Sequence, residues 1–363
     1  MTSETNTIPH DHPLVFKEES RLARVIIANA PRRNAISREM LNSLLNSYQD
    51  WVKNPDIYMV LVESSDPNFF SAGADMRELY QASQQSPDIA RDMFKEEYEN
   101  IWAIECYTKP LVAFVNGVVI GGGIGITQYG THIVAGENFA WSMPEVKIGL
   151  FPDIAITHLL AKMPNSIGFY LGLTGRTINR SDAFFLGLTE HCIDENQFSG
   201  IREQLREAEP VDALLDGLHQ TPGPSELETR APIIDEMFSK PSIEEIFDGL
   251  EQTTGSHEAW AKETLDHLRE ASPLSLKVTF EAMKRAKTMQ MDEALAQDYT
   301  LVQHFLKNSD FMEGIKAKLI EKRPPQWSAA HPKEISAARV AEFFVDPGIS
   351  QLNLPPRELG LDK

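Results

Sequence analysis

The segments 15–18 and 22–28, with apolar Val15, Phe16, Leu22, Val25, Ile26 and Ile27, read as a strand pair at the start of the chain. From Ser37, a favoured helix N-cap, the residues Met40, Leu41, Leu44, Leu45, Tyr48 and Trp51 keep one apolar stripe to about residue 52, the spacing of a helix. Aliphatic positions at 59 to 62 predict a short strand over 58–63, and 64–74, rich in Ser, Asp, Pro and Gly, reads as a loop. Helical spacing returns over 87–106 at Ile89, Met93, Ile101 and Trp102. A buried strand is predicted at 110–115, a helix at 122–129 that begins inside a glycine cluster, and a further strand at 131–135. This β-β-α alternation predicts an α/β protein with strands stacked in a layered, mostly parallel arrangement.

After about residue 206 the pattern changes. Pro, Gly, Thr and acidic residues over 210–232 predict a loop or hinge, and nearly everything from 243 to 321 has helical spacing. The division expected is a disordered tail at 1–13, a core at 14–206, and a linker with a helical C-terminal part at 207–363. A chain of 363 residues can bury a core of that size. The N-terminus lacks the basic and apolar regions of a signal peptide, no apolar run is long enough to span a bilayer, and Cys106 and Cys192 are the only cysteines. A cytoplasmic protein with no membrane partner is the expectation. A net charge of −19 argues against binding nucleic acid, which needs a basic surface.

The chemistry concentrates around Gly121, Gly122, Gly123 and Gly125, with Ser71-Ala72-Gly73-Ala74-Asp75 upstream and Met143-Pro144-Glu145 downstream. Glycine lets backbone approach a ligand closely, and a glycine turn into a helix aims N–H groups at developing negative charge. Two such turns can supply the two donors of an oxyanion hole. No register of the cluster gives G-x-G-x-x-G, and neither a P-loop nor a G-x-S-x-G elbow occurs. Glu145 lies among apolar Trp141, Met143, Val146 and Ile148, where a carboxylate would be partly buried and hold its proton more tightly. Asp153 precedes a predicted helix, so N-capping competes with an active-site role. The ten histidines show no metal-ligand spacing, and no metal is expected.

These segments, with Pro31-Arg32-Arg33-Asn34-Ala35 and Val146-Lys147-Ile148-Gly149, resemble the crotonase (enoyl-CoA hydratase/isomerase) superfamily. Three further stretches are most like its 3-hydroxyisobutyryl-CoA hydrolases: Gly149-Leu150-Phe151-Pro152-Asp153, Ser272-Pro273-Leu274-Ser275-Leu276-Lys277, and Asp310-Phe311-Met312-Glu313-Gly314 leading to Pro324-Pro325-Gln326-Trp327. The resemblance implies a spiral of repeated ββα units with a helical C-terminal part. It implies thioester hydrolysis of 3-hydroxyisobutyryl-CoA to 3-hydroxyisobutyrate and coenzyme A, a step of valine catabolism. The N–H groups of Ala72 and Gly122 would form the oxyanion hole, Glu145 would be nucleophile or base, and Asp153 would hold the substrate hydroxyl or water. Arg32, Arg33, Asp75, Gly121 and Lys277 would bind substrate. Coenzyme A would be part of the substrate rather than a cofactor, and self-association is left open. Gly125 stands where hydratases resemble one another in a second glutamate, which argues against hydration. An enoyl-CoA isomerase or hydratase and a noncatalytic acyl-CoA-binding protein are the rivals. The chain departs from the hydrolase pattern at Ala155 and Ile156, where a glycine pair is usual, and the Pro31–Ala35 segment is one residue tighter.

Overall fold

The structure, a computed structural model, describes residues 13–357. All of the tail expected at 1–13 except Pro13 therefore lies outside the described residues. The first half of the chain lays down β1 (Leu14–Glu19), β2 (Leu22–Ile27), α1 (Arg38–Lys53), β3 (Met59–Ser64), β4 (Phe69–Ser71), α2 (Met76–Gln85) and α3 (Pro87–Glu105). There follow β5 (Leu111–Val115), β6 (Val118–Ile120), α4 (Gly122–Gln128), β7 (His132–Ala135) and β8 (Ala140–Ser142). Then come α5 (Ile156–Ala161), α6 (Ile167–Thr174), β9 (Ile178–Asn179), α7 (Arg180–Phe185), β10 (His191–Cys192) and α8 (Phe198–Arg206). Ser37 caps α1 as its sequence suggests, its hydroxyl accepting the Met40 N–H at 3.2 Å.

The strands alternate between two sheets. One has the order β1-β2-β3-β5-β7-β10, parallel from β2 onward; the other has the order β4-β6-β8-β9, with β4, β6 and β8 parallel. Each pass thus places one strand in each sheet before a helix: β3-β4 with α2 and α3, β5-β6 with α4, β7-β8 with α5. This is the spiral of ββα units that the family resemblance implied. The strands of the second sheet are only three residues long or less, too short to show a period of two in sequence.

The remaining helices are α9 (Val211–Leu218), α10 (Glu226–Phe238), α11 (Ile243–Gln252), α12 (Glu258–Glu270), α13 (Pro273–Ala286), α14 (Met291–Phe305), α15 (Ser309–Gly314) and α16 (Ala337–Glu342), with a π-helical turn at Ile315–Glu321. The loop or hinge expected at 210–232 is instead mostly helix. Val211 and Leu215 of α9 join Phe198, Ile201 and Leu205 of α8 against Leu61, Val112 and Val134 on the outer face of the larger sheet. Pro232 sits inside α10, where burial of Ala231, Ile233, Ile234, Met237 and Phe238 offsets the backbone hydrogen bond that proline cannot make. The helices from α10 onward share one continuous apolar core with the first sheet and α1–α7.

Candidate active site

Three carboxylates from three separate segments meet at the N-terminal end of α4. Glu145 opens a 3₁₀ turn, Glu145–Ile148, directly after β8. The turn is held by the Leu150 N–H on the Glu145 carbonyl (3.0 Å) and the Ser272 N–H on the Val146 carbonyl (3.0 Å). The Ser272 hydroxyl in turn donates to Asp310 Oδ2 at 2.7 Å, and Asp310 Oδ1 accepts the Ser328 N–H at 2.8 Å. The C-terminal motifs read in the sequence therefore buttress the turn that presents Glu145. Gly121, at φ 50° and ψ −128°, supplies the other half of the fit. A Cβ there would sit 2.6 Å from Glu145 Oε1, so only glycine leaves the carboxylate its place.

Glu97 and Tyr98 arrive from α3. A side chain on Gly122 would run into Glu97 Oε1. Tyr98 donates its hydroxyl to Asp153 Oδ2 at 2.8 Å. Asp153 caps nothing: α5 begins three residues later with Ala155 at its N-cap position. Glu97, Glu145 and Asp153 are all buried. Burial raises the proton affinity of each, and the negative charge on Asp153 raises it further at Glu97 and Glu145. Glu97 is pushed up to about 8. Asp153 rises only to about 6 because the Tyr98 hydroxyl and its own N–H favour the charged form. Of these two, Asp153 therefore carries negative charge more readily than Glu97. Glu145 Oε2 is buried with no partner among the described residues, an oxygen left over for something that is not protein.

The oxyanion donors need a correction of two residues. The Ala72 N–H donates to the Arg33 carbonyl at 3.0 Å and is not available to a ligand. At Ala74 the chain forms a parallel bridge with Ile36, whose N–H goes to the Gly73 carbonyl (2.9 Å) and whose carbonyl accepts the Asp75 N–H (2.8 Å). Neighbouring N–H groups of an extended chain point to opposite sides, so the Ala74 N–H faces away from Ile36. It makes no hydrogen bond among the described residues. Its nitrogen would lie 3.0 Å from a Cβ placed on Gly122. Ala74 and Gly122 lie side by side, and neither N–H has a hydrogen-bond partner among the described residues.

The expected substrate-binding residues divide. Gly121 belongs to the cluster. Asp75 pairs with Arg32 and caps α2 through the Arg77 and Glu78 N–H groups, both at 3.1 Å, so its carboxylate is engaged within the chain. Arg33 is exposed over the Phe69 ring. Lys277 lies elsewhere: it bonds Glu244 and the Ile335 carbonyl, both at 2.7 Å, in a groove that shares no residue with the carboxylates. Glu97, Tyr98 and Ala74 were not singled out from sequence. A narrow apolar cleft lined by Ile36, Leu41, Leu79 and Phe94 runs up to Ala74 and Glu97. At Gly125, a Cβ would meet Ile101 Cδ1 at 3.0 Å and Ile154 Cδ1 at 3.4 Å. That space is filled with hydrocarbon rather than a carboxylate.

The cluster leaves a mark on stability. Glu97 in the folded chain keeps its proton to about pH 8, against an ordinary value of 4.5. Between those limits the native state binds more protons than the unfolded chain, so this group's contribution falls as pH rises. Glu97→Gln is expected to melt higher than the parent at pH 8 and by a smaller margin at pH 5. Parallel melting curves across that range would remove Glu97 as the source.

The chain matches the family model described as enoyl-CoA hydratase/isomerase over residues 23–344. It is 33% identical to the 3-hydroxyisobutyryl-CoA hydrolase, mitochondrial, of Xenopus tropicalis, covering 92% of this chain and 89% of that one. A probable 3-hydroxyisobutyryl-CoA hydrolase of Arabidopsis thaliana is 29% identical, covering 95% and 96%. Among solved structures, an enoyl-CoA hydratase from Rhodobacter sphaeroides superposes with a TM-score of 0.88 at 29% identity, covering 94% of this chain and 100% of that one. A carnitinyl-CoA dehydratase from Mycobacterium thermoresistibile gives 0.89 at 27% identity, covering 94% and 99%.

Proposed function

The chain belongs to the enoyl-CoA hydratase/isomerase family, and from that premise we propose that it hydrolyses the thioester of 3-hydroxyisobutyryl-CoA, releasing 3-hydroxyisobutyrate and coenzyme A. The observation that carries the reading is the pairing of Glu145, whose Oε2 has no partner among the described residues, with the adjacent N–H groups of Ala74 and Gly122, while hydrocarbon fills the space at Gly125. Addition of water across a double bond by two carboxylates needs an acid and a base on that face, and the Gly125 side offers Ile101 and Ile154 instead.

The thioester oxygen lies between the N–H groups of Ala74 and Gly122, which stabilise the tetrahedral oxyanion as the carbonyl is attacked. Glu145 reaches the same carbon in its ionised form, either directly or through a water whose proton it takes. Collapse of the oxyanion expels the coenzyme A thiolate, and where Glu145 attacks directly, water then hydrolyses the resulting anhydride to free 3-hydroxyisobutyrate and restore the carboxylate. Asp153 and Glu97, one charged and one protonated near neutral pH, hold the 3-hydroxyl and the water by accepting and donating respectively. The apolar cleft beside Ala74 carries hydrocarbon of the substrate, and the exposed Arg33 is a cation available to the anionic coenzyme. Coenzyme A enters as substrate, with no separate cofactor. By the nature of the product, the step falls in valine catabolism. No helix among the described residues is long and apolar enough to cross a membrane. A reducing compartment such as the cytoplasm suits a chain whose two cysteines, Cys106 and Cys192, are both buried.

With 3-hydroxyisobutyryl-CoA and a thiol reagent, prompt release of free coenzyme A is expected. With crotonyl-CoA, the conjugated-enoyl absorbance should persist. Loss of that absorbance without thiol release would overturn the hydrolase reading. Conversion of a 3-enoyl-CoA to its 2-enoyl isomer, with no thiol released from any thioester, would assign the site to isomerisation.

A further inference from the structure

The peptide bond between Ile154 and Ala155, one residue past Asp153, is gripped at both ends by side chains from distant parts of the chain. Tyr129, at the end of α4, donates its hydroxyl to the Ile154 carbonyl at 2.6 Å. Asp298, on α14, accepts the Ala155 N–H on Oδ2 at 2.7 Å. The Ile154 carbonyl and the Ala155 N–H are the two polar atoms of one peptide plane. Asp298 is 0% exposed and lies 143 residues from Ala155 in sequence.

That peptide needs holding. Ile154 and Ala155 both adopt left-handed backbone, at φ 55° and 57°. A β-branched residue there is a conformational outlier, and such a conformation persists only where surrounding structure enforces it. The turn it creates sends Asp153 back toward the Tyr98 hydroxyl and lays Ile154 Cδ1 against Gly125. Asp298 is also expensive for the fold. Its Oδ1 is buried without a partner among the described residues, and a fully buried carboxyl in a helix is tolerated rarely. Burial and the charge on Asp153 raise the proton affinity of Asp298 well above the usual carboxylate range, so a second negative charge beside Asp153 is disfavoured. Its neighbour Tyr299 stands edge-on to Tyr98, with ring centroids 6.4 Å apart, so α14 braces both sides of Asp153.

We infer that Asp298 and Tyr129 are positioning residues for the reaction, a two-point clamp on the 154–155 peptide that sets where the Asp153 carboxylate stands. The inference rests on the hydrolase reading only for its kinetic readout. Neither residue reaches the thioester. Their effect passes through the geometry of Asp153, where displacement of a group by about 1 Å can cost on the order of 10²-fold in rate.

The test uses the full chain with Asp298→Ala, Asp298→Asn, Tyr129→Phe and the double variant Asp298→Ala/Tyr129→Phe, comparing kcat, KM and melting temperature. Asp298→Ala should lower kcat by about 10- to 100-fold with KM changed much less. Asn keeps an acceptor oxygen for the Ala155 N–H, so Asp298→Asn should recover most of that loss. Because both residues hold one peptide, the double variant should lose less than the product of the single losses. A lower melting temperature with unchanged kcat per folded molecule would reduce Asp298 to a structural role, and independent, multiplicative losses would overturn the shared clamp. Should Asp298→Ala fail to fold, Tyr129→Phe and Asp298→Asn decide between the same outcomes. A crystal structure of Tyr129→Phe or Asp298→Ala separates this inference from the choice of reaction. If the parent releases no thiol, the hydrolase reading fails; the clamp still stands if the 154–155 peptide turns over or Asp153 leaves Tyr98 in the variant, and falls if both stay in place.

Discussion

Glu145→Gln is expected to abolish most turnover, lowering kcat by roughly 10²- to 10⁴-fold, while the protein folds as well as before or melts higher. The side chain keeps its size and its place over Gly121, so geometry is preserved. What disappears is the capacity to carry negative charge or take a proton, which both the nucleophilic and the base role require. The stability expectation has its own reason. Glu145 is buried beside Asp153 with Oε2 unpartnered among the described residues, and burial together with that neighbour pushes its proton affinity well above the usual range. An uncharged amide avoids the cost of ionising there. Activity and stability should therefore move in opposite directions, as they do where a fold tolerates strain for chemistry. Single-turnover thiol release and a thermal scan on the same preparation check both halves. Turnover within a few fold of the parent would leave Glu145 without the central role.

How much of this could be read from the chain depends on whether a feature is local. The longer helices and the strands of the larger sheet repeat over enough residues to declare themselves, as at Met40 through Trp51. The three-residue strands Phe69–Ser71, Val118–Ile120 and Ala140–Ser142 do not, because their order comes from pairing with one another. Placing the oxyanion donor at Ala72 failed for the same reason. Which N–H of 71–75 is free is decided by Arg33 and Ile36, residues brought in by the tertiary fold. Lys277 was drawn toward the substrate by its motif, yet Glu244 and Ile335 hold it elsewhere. Glu97 and Asp298 did leave a trace. Glu97 falls on the buried face of α3 with Ala90, Phe94, Tyr98 and Ile101, and Asp298 on that of α14 with Ala294, Leu295, Leu301, Val302 and Phe305. A carboxylate on the apolar stripe of an amphipathic helix is unusual enough to mark for scrutiny. What the stripe cannot disclose is that both helices aim at one loop.

Asp153→Asn should lower kcat/KM by about 10²-fold with little change in melting temperature, since Asn can still accept the Tyr98 hydroxyl. Its more telling effect is on pH dependence. In the parent, the ionised Asp153 raises the proton affinity of Glu145, so turnover should fail on acidification while Glu145 regains its proton. Removing the charge at 153 lets Glu145 stay ionised to lower pH, and the acid limb of the remaining activity should move down. Tyr98→Phe provides the opposing case. The Tyr98 hydroxyl lowers the proton affinity of Asp153, which stands at about 6. Without it the doubly charged pair costs more to form, and the limb should move up. Because the carboxylates titrate together, each limb belongs to the cluster rather than to one residue. A kcat/KM profile from about pH 5 to 9, read by thiol release, distinguishes the two variants. Shifts in the same direction would contradict the electrostatic coupling of Asp153 to Glu145. An unshifted limb with near-normal turnover in Asp153→Asn would leave Asp153 outside the reaction.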